Sequence, residues 1–383
     1  MQTLDILARL IAFPTVSADS NLGIIDYIQS FLEARGFEVH RVMDETGLKA
    51  GLFARIGPVD KAGILLSGHT DVVPVAGQSW ATDPFALVVQ NGKAYGRGTT
   101  DMKGYLACVL ALADRASLAK LKQPLKLAFS YDEEIGCVGI RSMLGQLAPS
   151  IGLPEMCFVG EPTMMQVAVG HKGKSGLLAS CHGMAGHSAM APDFLNALHV
   201  ATDFVSALRD LQSDFAKNGR QDADYGIPYS TLHVAKISGG KALNIVPEKA
   251  EINFEFRHLA EDPPEELLGR IKAAAQRVSA HHQVRFPVAD IAIETLISYP
   301  GLDTDANSAV VRRAQKLAKS AGITKVAFGT EAGYFSAHLG IPTIVCGPGS
   351  MAGQGHKPNE FVALSQLQAC DAMFDQLLIE MSS

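Results

Sequence analysis

Short apolar runs that finish in acidic or imidazole side chains recur along this chain, and helix-length segments separate them. GILLSGHTD ends in His69 and Asp71, KLAFSYDEE in Asp132, Glu133 and Glu134, and MCFVGEP in Glu161, while PTIVCGPG leads into a loop that reaches His356. Apolar strands that alternate with helices make a mostly parallel sheet with helices on both faces. Ligands of such sheets sit at the carboxyl ends of the strands, where these polar residues fall. The pattern predicts an α/β layer with one functional edge.

At roughly 100–200 residues per domain, a chain of 383 residues favours two domains. From about Lys174 to Arg285 the texture changes. A strand (SGLLASCHG), a helix (DFLNALHVATDFVSALRDLQ), two strands (STLHVAKI, AEINFEFRH), a helix (PEELLGRIKAAAQRVSA) and a returning strand near VRFPV follow one another. That βαββαβ order covers one face of an antiparallel sheet with two helices. The polar strand ends lie both before and after it. The expected organisation is therefore one mostly parallel α/β domain, 1–173 and 286–383, interrupted by an inserted ferredoxin-like α+β domain, 174–285.

Composition excludes several classes. With 33 Lys+Arg against 39 Asp+Glu, a net charge of -6 and no Lys/Arg block, the chain carries no footprint for nucleic acid. The six cysteines (Cys108, Cys137, Cys157, Cys181, Cys346, Cys370) form no CxxC pair, so reduced thiols and a cytoplasmic setting are expected. MQTLDILARL reads as an amphipathic helix, not a secretory signal. The longest apolar run, Ala107 to Ala113, is far short of the roughly 20 residues that span a membrane, so no membrane partner is expected. GHKGKSG lacks the spacing of a phosphate loop, and neither GxSxG nor HExxH occurs. His281 and His282, at the end of an amphipathic helix, read as solvated.

The strand-end residues carry the chemistry. His69 and Asp71 are two apart, so strand geometry points both to one face, and a carboxylate beside an imidazole is the usual support of a metal-bound histidine. Alone, the pair reads equally as a turn histidine capped by an aspartate. Asp101, in the glycine-rich GRGTTDMKG just before a helix, reads alone as a cap. Asp132, Glu133 and Glu134 crowd like charges at a strand end, which water or a cation must answer. Consecutive residues diverge, so one glutamate can ligate while its neighbour serves as general base. Together with Glu161, before a proline that cannot continue the ladder, and His356 in a glycine-rich loop, these residues make a mixed N/O set. Zinc, cobalt or manganese would suit it.

The strings SGHTDVVP, GRGTTDMKGYLA, YDEEIGCVG, VGEPT, GHKGKSG and GPGSMAGQGHKPNE resemble those of the dinuclear zinc aminoacyl amidohydrolases, in consistent order from about Leu7 to the last helix. HKGKSGLLASCHGMAGHSAMAP and FGTEAGYF are most similar to the acetylornithine deacetylase branch. The resemblance implies two divalent ions, one on His69 and Glu161, the other on Glu134 and His356, bridged by Asp101. It further implies Asp71 as the orienter of His69, Glu133 as general base acting on a water shared by the ions, and a cis peptide after Asp101. The inserted domain would be a lid and homodimerisation module whose His187 reaches the partner's site to stabilise the oxyanion. The implied reaction is removal of acetate from N2-acetylornithine, a step of arginine biosynthesis. Desuccinylation of succinyl-diaminopimelate, peptide or acyl-amino-acid cleavage, and an inactive metal-binding relative are the alternatives.

A small N-acyl amino acid also needs partners for its carboxylate and side chain. Arg257 in FEFRH suits the carboxylate, because guanidinium grips it bidentately; a surface-strand arginine is the plainer reading. Asn244 in GGKALNIVP is similar to a substrate-contacting asparagine of the family, whereas Lys241 and Lys249 read as solvated. Glu331 in GTEAG is expected either to face ornithine's ammonium or to serve as a helix-start acid. An ammonium 4 Å from a carboxylate is worth roughly 4 kcal/mol at an effective dielectric near 20, before desolvation.

Overall fold

The apolar runs are strands, and four of them lie side by side and parallel in the order Leu125–Ser130, Ile64–His69, Met156–Pro162 and Thr343–Gly347. Every residue of all four is buried, as mostly apolar strands between helical layers are expected to be. Glu38–Met43 and Ala50–Ile56 extend the sheet antiparallel at one margin. At the other, Val167–His171 runs antiparallel to Thr343–Gly347 and pairs with both Leu302–Asp303 and Ile323–Val326. The structure, a computed structural model, describes residues 2–17 and 19–383, and among these the sheet has nine strands.

Because the four central strands are parallel, their carboxyl ends share one edge; His69 and Glu161 sit in the ends of their strands, and the loops that follow carry Glu133 with Glu134 and His356 to the same edge. The helix Lys103–Ala116 starts at this edge, two residues after Asp101. All its residues from Lys103 to Ala113 are buried, so it is covered on every side there and forms an inner layer between the sheet and the helices Thr3–Ile11 and Leu364–Ser382. Its Tyr105 ring lies on Gly160, where a Cβ would stand 2.1 Å from the ring. Only glycine lets the helix approach the strand that carries Glu161.

The chain divides into two units, Met1–His171 with Leu302–Ser383, and Lys172–Gly301. The second has the βαββαβ order: an antiparallel sheet Thr231–Gly239, Lys249–His258, Gly173–His182, Asp290–Tyr299, with the helices Ala197–Asn218 and Pro264–Gln283 on one face. Along Lys249–His258 burial alternates, so Ala250, Ile252, Phe254 and Phe256 enter the core with the helices and Arg257 lies on the opposite face.

Two expectations are corrected here. The returning strand is Asp290–Tyr299, not VRFPV, because the preceding helix runs to Gln283 and the amides of Arg285 and Phe286 turn back to the His282 carbonyl. Pro287 then offers no donor to a ladder. The later strand moves the second unit boundary from 285/286 to 301/302. His282 is not simply solvated, since its Nε2 lies 2.8 Å from the Asp203 carboxylate on the facing helix. No helix among the described residues is long and apolar enough to cross a membrane, and all six cysteines are buried and free.

Candidate metal centre

His69 closes its strand with a fully buried ring. Nδ1 lies 2.9 Å from the main-chain oxygen of Asp71 and 3.4 Å from its carboxylate, an acceptor environment that places the ring proton there. Nε2 is thereby turned toward Asp101 Oδ1 at 3.1 Å and Glu161 Oε1 at 3.5 Å. The other oxygen of Asp101, Oδ2, lies 3.4 Å from Nε2 of His356, itself 2.9 Å from Glu134 Oε2. Asp101 thus sits between two imidazoles with one oxygen toward each. Its peptide bond to Met102 is cis.

Asp71 organises more than the ring. Its carboxylate accepts from Ser17 Oγ (2.7 Å) and from the amides of Glu133 (3.1 Å) and Glu134 (3.3 Å), so it fixes the turn that carries both acids. The cation that three consecutive acids require is Lys49, whose ammonium pairs with Asp132 at 2.5 Å. That pairing leaves Glu133 and Glu134 to the site. Potential donor atoms of His69, Glu133 and Glu161 lie within 4.8 Å of one another, as do those of His69, Asp101 and Glu134.

The electrostatics favour a cation among these groups. Burial, followed by the charge of Asp101, pushes Glu134 up to about 7 and Glu161 up to about 8. Burial and the Glu161 charge hold Glu133 well above the ordinary carboxylate range. Burial would lower His69, but its bonds to Asp101, Asp71 and Glu161 outweigh this and raise it well above its usual value. Asp101 and Glu134 lift His356 to about 10. Among the described residues no Lys or Arg is hydrogen-bonded to Asp71, Asp101, Glu133, Glu134 or Glu161, and Glu134 Oε1 is buried without a partner. Divalent ions fit this set: carboxylate and imidazole donors suit zinc, cobalt or manganese, and an ion would satisfy both the excess charge and the orphaned oxygen.

The other expected residues divide. Glu331 is 1 % exposed, its carboxyl is bonded to the hydroxyls of Ser67 (3.3 Å) and Ser130, and burial pushes it up to about 7. It stands at the start of Ala332–Leu339 but makes no capping bond, because its side chain turns inward to the ends of two central strands. In the second unit, Arg257 Nε lies 3.0 Å from Glu255, which also pairs with Lys174 at 2.9 Å. Asn244 is exposed in the loop after Thr231–Gly239. His187 is exposed, and its Nδ1 accepts from the Ala189 amide (3.1 Å), which leaves Nε2 as the N–H of a neutral ring. Lys241 and Lys249 pair with Glu248 and Glu251 at the surface. Ser17 and Lys49 escaped the sequence reading, since nothing in their local strings marks them and both act across long sequence separations.

Residues 65–380 match Peptidase family M20/M25/M40. The chain is 32 % identical over 374 residues to an acetylornithine deacetylase of Myxococcus xanthus, covering 96 % of this chain and 94 % of that protein. It is 31 % identical over 366 residues to an acetylornithine deacetylase of Shigella sonnei (strain Ss046), covering 94 % and 92 %. Among solved structures it shares the fold of the M20 family metallo-carboxypeptidase Sso-CP2 from Sulfolobus solfataricus, with a TM-score of 0.78 at 20 % identity over 99 % of this chain and 98 % of that one. With a family match over most of its length and a cluster of carboxylates and imidazoles suited to metal ions at the sheet edge, the chain belongs to Peptidase family M20/M25/M40 and is a metal-dependent amide hydrolase.

Proposed function

We propose that the chain hydrolyses the acetyl amide of N2-acetyl-L-ornithine to L-ornithine and acetate, a step toward arginine. The observation that supports metal-dependent hydrolysis is Asp101 set between His69 and His356, one oxygen toward each, with Glu161 and Glu134 alongside. His69 and Glu161 would hold one divalent ion, Glu134 and His356 a second, and Asp101 would serve both. When bound, the pair supplies Lewis acidity to the scissile carbonyl and to the attacking water.

The chain's own residues supply the rest. Asp71 keeps the His69 proton on Nδ1 and so leaves Nε2 free to donate its lone pair. Glu133 takes the proton of the attacking water and passes it to the departing amine. His187, from a second copy of the chain, would donate through Nε2 to the oxyanion, a contribution of about 2.7–4 kcal/mol per donor in enzymes where it has been measured. The second unit would then be both lid and homodimer interface. Arg257 would exchange Glu255 for the substrate carboxylate, and Asn244 would contact the substrate. A cytoplasmic setting accords with this chemistry and with six free thiols.

The names of the relatives, at 31–32 % identity, support ornithine as the amine; the inward-turned Glu331 does not. Assaying N2-acetylornithine, N-succinyl-diaminopimelate and a dipeptide side by side tests the reading. Highest kcat/KM on N2-acetylornithine is expected. A faster reaction with either competitor overturns the substrate.

A further inference from the structure

We propose that the buried Glu360 and Arg97, together with the half-buried Gln78, form a clamp that positions Asp101 and His356 relative to one another. The proposal rests on reading those two residues as metal ligands. Glu360 and Arg97 are each 1 % exposed and pair at 2.7 Å. One oxygen of Glu360 accepts from Arg97 Nη1 and the Gly98 amide (3.0 Å), the other from the amides of Thr100 (2.8 Å) and Asp101 (3.1 Å). Gly98, at φ 85°, takes the left-handed conformation that lets successive amides converge on a single carboxylate. From Arg97 the network continues: Nη2 donates to Gln78 Oε1 at 2.7 Å, and Gln78 Nε2 donates to the main-chain oxygen of His356 at 2.9 Å.

The arrangement does what two loops need if they are to present donors to shared ions. His356 stands on an exposed glycine-rich loop with its own backbone left-handed, at φ 61°, so its side chain alone does not fix its place. Gln78 ties that backbone to Arg97, and Glu360 ties Arg97 to the amide of Asp101. A buried ion pair stabilises little by itself against its desolvation, so three further bonds on one carboxylate point to placement of a loop as its effect. Outer partners of metal ligands commonly matter 10–100-fold in affinity.

Zinc binding by equilibrium dialysis against a chelator, with melting temperatures of the ion-free proteins, tests the clamp on the full chain. Wild type should take up two ions and His356→Ala should lose one. Gln78→Leu should weaken that same ion about tenfold and leave the other unchanged, whereas Glu360→Gln should weaken both by 10–100-fold, because Asp101 serves both. Wild-type affinities in both variants, with or without a lowered ion-free melting temperature, overturn the clamp and leave the ligand reading standing. Fewer than two ions on wild type, or two bound undiminished by His356→Ala, overturn the ligand reading and the clamp with it. Should Glu360→Gln fail to fold, Gln78→Leu decides alone.

Discussion

Glu133 and Glu134 are neighbours in the chain with different surroundings. Glu134 meets His356 and Asp101, while Glu133 lies nearer Glu161 and receives the Cys137 thiol at 3.4 Å. If Glu133 moves protons and does not hold an ion, Glu133→Ala should keep both ions by elemental analysis while kcat falls by about 10²–10⁴. Loss of an ion would make Glu133 a ligand, which its distance from His69 and Glu161 also allows. Glu331 calls for a different pair of variants. Glu331→Gln preserves a hydrogen-bonding group for Ser67 and Ser130 and should change stability little, whereas Glu331→Leu strands two buried hydroxyls at about 1–3 kcal/mol, readable by urea unfolding. At this scale the sequence was informative wherever an acid or imidazole ended an apolar run, as with His69, Glu134 and Glu161. It was silent on whether Glu331 turns outward or inward, because that depends on which strands meet the start of its helix. It was equally silent on Glu360, whose bonds reach loops more than 250 residues away in sequence.

Elements meet at the site because the helix Lys103–Ala116 can press onto the strand Met156–Pro162. Gly160→Ala would drive a methyl into the Tyr105 ring, which is buried and has nowhere to turn. The expected cost is about 1–3 kcal/mol by thermal unfolding, the usual penalty of overpacking. Gly145→Ala, on an exposed helical position with nothing within 4 Å, should instead stabilise by about 0.5–1 kcal/mol. Equal effects at the two sites would contradict the close approach. Strand and helix identities are legible here because the central strands are mostly apolar, with their acids and imidazole near the carboxyl ends, and most helices are periodic. VRFPV misled for a local reason: it has the composition of a strand, but it follows a helix that has not yet ended and contains a proline where a ladder needs a donor.

For the whole molecule, the ligand candidates come from both segments flanking an inserted unit, so the ion-binding edge exists only when one continuous sheet has closed across the insertion. Ion binding and folding are therefore coupled, and the sign of that coupling with pH can be worked out. Without ions, Glu134 and Glu161 stand at about 7 and about 8, above the ordinary value of roughly 4.3. Their stabilisation is complete below the ordinary value and is lost as pH rises through 7 and 8. His356, at about 10 against an ordinary value near 6.5, behaves alike: its stabilisation is full below about 6.5 and is lost as pH rises toward 10. Asp101, lowered by His356 and His69 in spite of burial, opposes this only in acid, below the window of interest. Lys103 and Lys126, which burial lowers to about 7 and about 8, gain stability above those values and oppose the trend there, so the ion-free protein should melt at lower temperature as pH rises from about 5.5 to 7. Ligation requires these same groups to be deprotonated, so zinc displaces their protons and binds more tightly as pH rises. The gap in melting temperature between zinc-loaded and chelator-treated protein should widen across that range, and a constant or narrowing gap would show that the raised carboxylates and imidazoles are not the groups that hold the ions.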